Sequence, residues 1–400
     1  MNVTRDEARA RARLVDVSSY EVELDLTVGE VTFGSVTTAR FRGTEPGAST
    51  FVDLVADGVT SITLNGRSLD PRSVYDGTRI HLEDLAADNE LTVRASCRYM
   101  NTGEGLHRFV DPVDKAVYLY TQFQVADARR MFTVFDQPDL KATFAFTVTA
   151  PDDWQVVSNE PTPDPQPGGL GNATWRFPAT PRVSSYITAL VAGPYHRVDG
   201  EYRDGDRVVP MSVFCRDSLA AHLDAEVILE ETRQGFAFFE AMFDTPYPFT
   251  KYDQLFVPEY NSGAMENAGC VTLNEDYVFR SRVPQVSYER RAITILHELG
   301  HMWFGDLVTM VWWDDLWLNE SFAEWVSTLA AAEATRWTSA WTTFANTDKT
   351  WAYRQDQLPS THPIAAEIND LEDVEVNFDG ITYAKGAAVL KLLAAWVGRD

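Results

Sequence analysis

The chain has 400 residues, 45% of them hydrophobic and 12% aromatic, a composition that excludes a disordered or fibrous protein and allows two or three domains. Its 34 Lys and Arg face 59 Asp and Glu, a formal net charge of −25, and without a basic stripe nucleic acid is excluded as the main partner. The three cysteines, Cys97, Cys215 and Cys270, are too few and too widely spaced for a disulfide framework or a cysteine zinc site, and fit a reducing compartment.

Residues 1–16 are charged throughout and offer no apolar segment for a secretory signal, so a cytoplasmic protein is expected. Strand patterns follow. Residues 20–28 alternate, and 59–64 lead into Asn65-Gly66, a strong hairpin signal. Further strands are expected at 79–82, 91–99, 116–120, 142–149, 154–158 and 185–191, with the Pro- and Gly-rich stretch 161–171 as a surface loop. There is no internal repeat. This spacing predicts an N-terminal all-β sandwich or saddle over residues 1–197.

Past residue 197 the pattern becomes mixed. A helix is expected at 219–243, stopped by Thr245-Pro246-Tyr247-Pro248, then strands at 253–258 and 269–273. Ser287 suits the N-cap of a helix running to 304, with Gly305 as its stop. Helices are expected again at 315–332, 335–352 and 378–397. Residues 198–400 therefore read as an α+β domain. The apolar run 386–398 contains Lys391 and falls short of the roughly 18 residues of a membrane span, so it reads as a buried helix with no membrane association. No stop signal follows it, and the C-terminal end of the domain is expected to be incomplete.

The chemistry concentrates on the helix at 287–304, which contains His297-Glu298-Leu299-Gly300-His301. Histidines four apart share a helical face and can reach one metal ion, with Glu298 beside them to handle a metal-activated water. A catalytic zinc needs a third protein ligand and an open position. Glu320, in the aromatic-rich segment Trp317-Leu318-Asn319-Glu320-Ser321-Phe322-Ala323-Glu324, completes a His₂Glu set. Glu324, one turn further on, is placed to accept a hydrogen bond from a ligand histidine.

These motifs resemble the gluzincin metallopeptidases. Gly263-Ala264-Met265-Glu266-Asn267 is the G-A-M-E-N sequence of the zinc aminopeptidases typified by aminopeptidase N. Thr121 to Gln124, with Asp127 to Arg130 and Phe135 to Pro138, looks like that family's segment at the end of the β domain. Ile381 to Gly386 looks like its catalytic tyrosine motif. The resemblance runs over essentially the whole chain and implies a thermolysin-like catalytic domain behind the β domain, as the front of a protein about twice as long. The family's small β domain and helical lid lie outside these residues, which implies weak turnover for this segment alone.

By that resemblance one Zn²⁺ per chain is held by His297, His301 and Glu320, and Glu298 is general base. Tyr383 stabilises the oxyanion. Glu266 anchors the free amine of a peptide substrate, helped by Glu320 and by Gln124, an amide where some members carry Glu. The backbone of Gly263 and Ala264 pairs with the substrate like an added strand, Met265 floors the first side-chain pocket, and Asn267 completes the motif. The expected activity is a zinc aminopeptidase, with a monomer favoured. The alternatives are an epoxide hydrolase of the leukotriene hydrolase branch and a non-catalytic scaffold. An intact ligand set argues against the scaffold.

Overall fold

In the computed structural model, which describes residues 2–398, a helix that the sequence reading missed comes first. Arg5–Leu14 is closed by a capping box in which Thr4 and Glu7 bond each other's backbone. Its charged residues supply both the cap and the buried Arg11, whose guanidinium donates to Asp53 at 2.6 Å.

Among the described residues the first half forms an eight-stranded sheet, a four-stranded sheet and a two-stranded ribbon. Val15–Asp25 lies at the centre of the large sheet. It pairs antiparallel with Thr32–Gly43 on one side and parallel with Thr143–Pro151 on the other. The four-stranded sheet runs Gln155–Ser158, Leu190–Gly193, Val117–Gln122, Gly105–Val110. The expected all-β architecture is present, with local corrections. Residues 185–187 form a 3₁₀ turn before the strand Leu190–Gly193, and the expected loop at 161–171 contains the strand Gln166–Gly169.

A hairpin, Tyr195–Asp204 and Arg207–Arg216, opens a third sheet, continued by Tyr252–Val257, Cys270–Asn274 and the two-residue edge strand Ala264–Met265. Against it pack the long helices Ala225–Phe243 and Gln285–His301, and a third, Leu316–Ala334, packs on those two. Gln285–His301 is the histidine helix and Leu316–Ala334 the glutamate helix. Small residues allow the close crossings. A Cβ on Gly235 would stand 2.5 Å from Leu296, and one on Gly300 3.2 Å from Val326.

The helix boundaries differ from the reading. The histidine helix starts behind Pro284, so Ser287 lies within its first turn, and it ends at His301. The stretch expected as one helix at 335–352 is two, Ala340–Asn346 and Asp348–Gln355, separated at Thr347 where weak helix formers gather. The expected helix at 378–397 opens with a π-helical turn, Ile381–Lys385, before Gly386–Val397. That last helix is not buried all round. Gly386 and Ala387 pack inward, while Leu392 and Trp396 are exposed. No described helix is long and apolar enough to cross a membrane. All three cysteines are buried and free.

A buried ionic cluster joins the β half to the third sheet. Arg216 donates to Asp111 beside the strand Gly105–Val110 and grips Glu275 with Nε and Nη2 at 2.6 and 2.8 Å. Asp111 is fully buried, so removing its partner strands a charge. Arg216→Ala is expected to cost about 3–5 kcal/mol in urea unfolding. Adding Asp111→Ala should recover part of that loss. Equal destabilisation of the single and double variants would show that the pairing is not the cause.

Candidate active site

Being one turn apart, His297 and His301 point along the same face of the histidine helix, and their Nε2 atoms lie 3.0 Å apart. Glu320 Oε2, from the glutamate helix, is 3.3 Å from the first and 3.5 Å from the second. A tetrahedral ion with ligand distances of about 2.1 Å has edges of about 3.4 Å, so the three atoms sit at three corners of such a polyhedron.

The second nitrogen of each ring is already committed. His301 Nδ1 donates to the carbonyl of Phe304 at 3.0 Å, and His297 Nδ1 faces Glu324 Oε2 at 3.3 Å. With Nδ1 as donor in both rings, both Nε2 atoms present lone pairs. Two lone pairs and a carboxylate oxygen converging in a buried space could hold a cation.

The electrostatics of these side chains fit this. Burial opposes charge on His297, yet hydrogen bonds to Glu320 and Glu324 push it up to about 9. Burial likewise opposes charge on His301, and Glu266 and Glu320 hold it well above the ordinary imidazole value. Burial would raise Glu320, but the two rings hold it at about 2. Glu298 moves the other way. Burial pushes it up to about 8 against the pull of both histidines, so a proton accepted there can be held.

These groups open on a cavity of about 450 Å³. Gln122, Gln124 and Val125 of the β half form one wall, and Gly263, Ala264 and Glu266 another. The strand Ala264–Met265 pairs antiparallel with Cys270–Asn274 through Ala264↔Leu273 and Met265↔Thr272. Being the sheet edge, it leaves its other side free for a further extended chain. Glu266, only 3% exposed, has Oε1 buried without a partner. Gln124 Nε2 is likewise buried and unpartnered. Such orphaned groups in a cavity wall call for a polar ligand.

Tyr383, on the π-helical turn, lies in the same cavity with its ring 6.1 Å from that of His297 and nearly parallel to it. Its hydroxyl reaches Glu320, and burial first, then that carboxylate, raises it well above the ordinary phenol value. It therefore stays a protonated donor.

The structure thus brings His297, Glu298, His301, Glu320, Glu324, Gln124, Gly263, Ala264, Glu266 and Tyr383 to one cavity. Met265 and Asn267 are not among its lining residues. Met265 packs in the β-half core, its sulfur accepting from Gln122 at 3.8 Å, and Asn267 donates to Thr272 at 3.2 Å. The sequence reading missed Arg290 and Thr294, which line the cavity. Their signal was available: residues 290, 294, 297 and 301 form one stripe of the helix. The Phe304 carbonyl that orients His301 carries no sequence signal, because any residue supplies one.

Residues 19–187 match the Peptidase M1 N-terminal domain and residues 227–400 the Peptidase family M1 domain. Aminopeptidase N of Streptomyces lividans is 61% identical over 404 residues, covering 100% of this chain and 47% of the relative. Probable aminopeptidase 2 of Sulfurisphaera tokodaii is 31% identical over 389 residues, covering 97% and 48%. Tricorn protease-interacting factor F2 of Thermoplasma acidophilum is 30% identical over 389 residues, covering 96% and 47%. The chain spans about half the length of these curated relatives. With both domains matched in order, and the histidine and glutamate helices inside the second, the chain belongs to the M1 family of peptidases.

Proposed function

We propose that this chain carries the active site of a cytoplasmic zinc aminopeptidase, which removes the first residue from peptides with a free N-terminal amine. The observation that carries the reading is the convergence of two imidazole lone pairs and Glu320 in a cavity that also holds an unpartnered, buried Glu266. His297, His301 and Glu320 are a His₂Glu set, one of those used for catalytic zinc. When bound, zinc supplies Lewis-acid polarisation of the scissile carbonyl and lowers the pKa of a coordinated water.

The chain's own residues do the rest. Glu266 receives the peptide ammonium in its open carboxylate position, with Gln124 contributing its side-chain oxygen and no charge. The edge strand at Ala264 holds the substrate backbone extended, so the bond presented is counted from the chain end. Glu298 takes the proton of the attacking water and delivers it to the leaving amine. Tyr383 donates to the oxyanion that develops on the carbonyl, as a preorganised group worth about 2–4 kcal/mol. Glu324 holds the His297 tautomer. The buried free cysteines support the cytoplasmic placement, since they suit a reducing compartment.

Three outcomes are expected of the full-length protein. Glu298→Gln should bind zinc as the parent does while kcat falls by about 10²–10⁴-fold; loss of zinc with activity would remove the general-base role. Glu266→Ala should lower kcat/KM for free-amine aminoacyl anilides roughly tenfold to a hundredfold and leave N-acetylated analogues at their parental rate. An equal loss on both would end the amine-anchor assignment.

Zinc must also compete with protons. Carboxylate neighbours hold His297 and His301 above the ordinary imidazole value, so near neutral pH both carry protons that must leave on metal uptake. Zinc affinity should therefore rise from about pH 6 to about pH 8, by about tenfold per unit for each proton displaced. Competition with a chelating dye measures it, and a flat profile would contradict the ligand set.

A further inference from the structure

The chain keeps a second histidine–carboxylate pair away from the metal ligands, and it grips the turn that carries Tyr383. Asp379 lies just before the π-helical turn. Its Oδ1 accepts from the amides of Ile381 at 2.9 Å and Thr382 at 3.1 Å, and its carbonyl accepts from the amide of Tyr383 at 3.0 Å. One residue thus holds three consecutive amides, ending at the tyrosine.

The free oxygen of Asp379 is held from outside the turn. His362, in the irregular segment after the helix Asp348–Gln355, places Nε2 3.0 Å from Asp379 Oδ2 and Nδ1 2.7 Å from the carbonyl of Pro363. Both ring nitrogens face acceptors, so the arrangement is satisfied when both donate. The Asp379 side chain is 10% exposed and that of His362 17%, so the carboxylate has little water to replace this partner.

The rest of the turn is fastened to the same neighbourhood. Gly380 donates its amide to the side chain of Gln355, and a Cβ on Gly380 would stand 3.0 Å from the Trp351 ring and 3.2 Å from the Ala352 backbone. Lys385, at the far end, reaches Asp356 at 2.8 Å, and Thr361 donates to the same carboxylate at 2.8 Å. A π-helical turn places its side chains differently from an α-helical one, and such turns gather at functional sites. The direction of the Tyr383 hydroxyl therefore depends on the turn being kept in this form.

We propose that His362 and Asp379 are positioning residues, whose paired side chains hold the π-helical turn so that the Tyr383 hydroxyl is aimed at the reacting carbonyl. The inference rests on the role given to Tyr383 above. Neither residue lines the cavity.

The test is a double-mutant cycle on the full-length protein with an aminoacyl anilide, reading kcat and KM separately, with zinc content and thermal unfolding alongside. His362→Ala is expected to lower kcat roughly tenfold to a hundredfold, with KM and zinc content little changed. His362→Gln, which keeps one donor for Asp379, should recover part of it. Asp379→Asn keeps the Oδ1 caps on Ile381 and Thr382 and loses the carboxylate oxygen that faces His362, so it should match His362→Ala even where the alanine variant folds poorly. In a Tyr383→Phe background, His362→Ala should cause no further loss, because the group being aimed is gone. The same fold loss from His362→Ala in both backgrounds would overturn the proposal, as would an unchanged kcat in His362→Ala and Asp379→Asn. If Tyr383→Phe alone leaves kcat unchanged, the donor role of Tyr383 fails and this inference falls with it, a result distinguishable from the first two.

Discussion

Two imidazole nitrogens 3.0 Å apart, each with its ring proton committed elsewhere, cannot share a closed space with a carboxylate oxygen unless positive charge lies among them. Much of the catalytic half can be understood as meeting that condition. The histidine helix must be long enough to put both rings on one face, and the glutamate helix must cross it closely enough to bring Glu320 in. The close crossing is why Gly300, between the histidines, has no side chain: a Cβ there already presses on Val326. Glu324 and the Phe304 carbonyl then fix which nitrogen of each ring is free. Burial raises Glu298 against the pull of both histidines, and burial together with the carboxylates around it keeps Tyr383 a donor, so the electrostatics of the proposed reaction follow from how deeply this cluster is buried.

The β half takes part in that seat's surroundings. Gln122, Gln124 and Val125 reach the cavity from it, and the Asp111–Arg216–Glu275 cluster ties it to the sheet that carries the edge strand. Charged groups at a boundary between two cores are expensive unless mutually satisfied, and here they tie the cavity wall supplied by the β half to the sheet against which the histidine helix packs. Selectivity for a free amine, in this reading, belongs to neither half alone.

How much of this the sequence makes legible varies with the range of the interaction. The two histidines, with Glu298 beside them, follow from helical periodicity, a local rule; Glu320 follows from the third ligand such a pair needs, with Glu324 one turn beyond it, and the structure brings them together. The strand Thr32–Gly43 is not visible because its inward row includes Ser35 and Thr37, both buried, which give no hydrophobic alternation. The hairpin Tyr195–Asp204 and Arg207–Arg216 is hidden for a related reason: its first strand is largely solvent-facing and charged. The π-helical turn is invisible because nothing within Ile381 to Lys385 demands it. Beyond the neighbouring Asp379, its fastenings come from Gln355, Asp356 and His362, which lie 25, 29 and 17 residues upstream of the residues they hold. Met265 marks a different limit. Motif membership says that a residue stands in the right segment, while strand alternation decides which face it serves, and here it serves the core.

The edge strand Ala264–Met265 has one more consequence. Exposed sheet edges are where folded proteins stick to one another, since any extended chain can complete them. This one is only two residues long and lines a cavity instead of an outer surface. A loose peptide terminus can thread into such a recess, whereas the edge of another folded protein is too broad to enter. The feature that would offer a substrate its backbone partner is thus also screened, by depth and brevity, from pairing that would clump the protein.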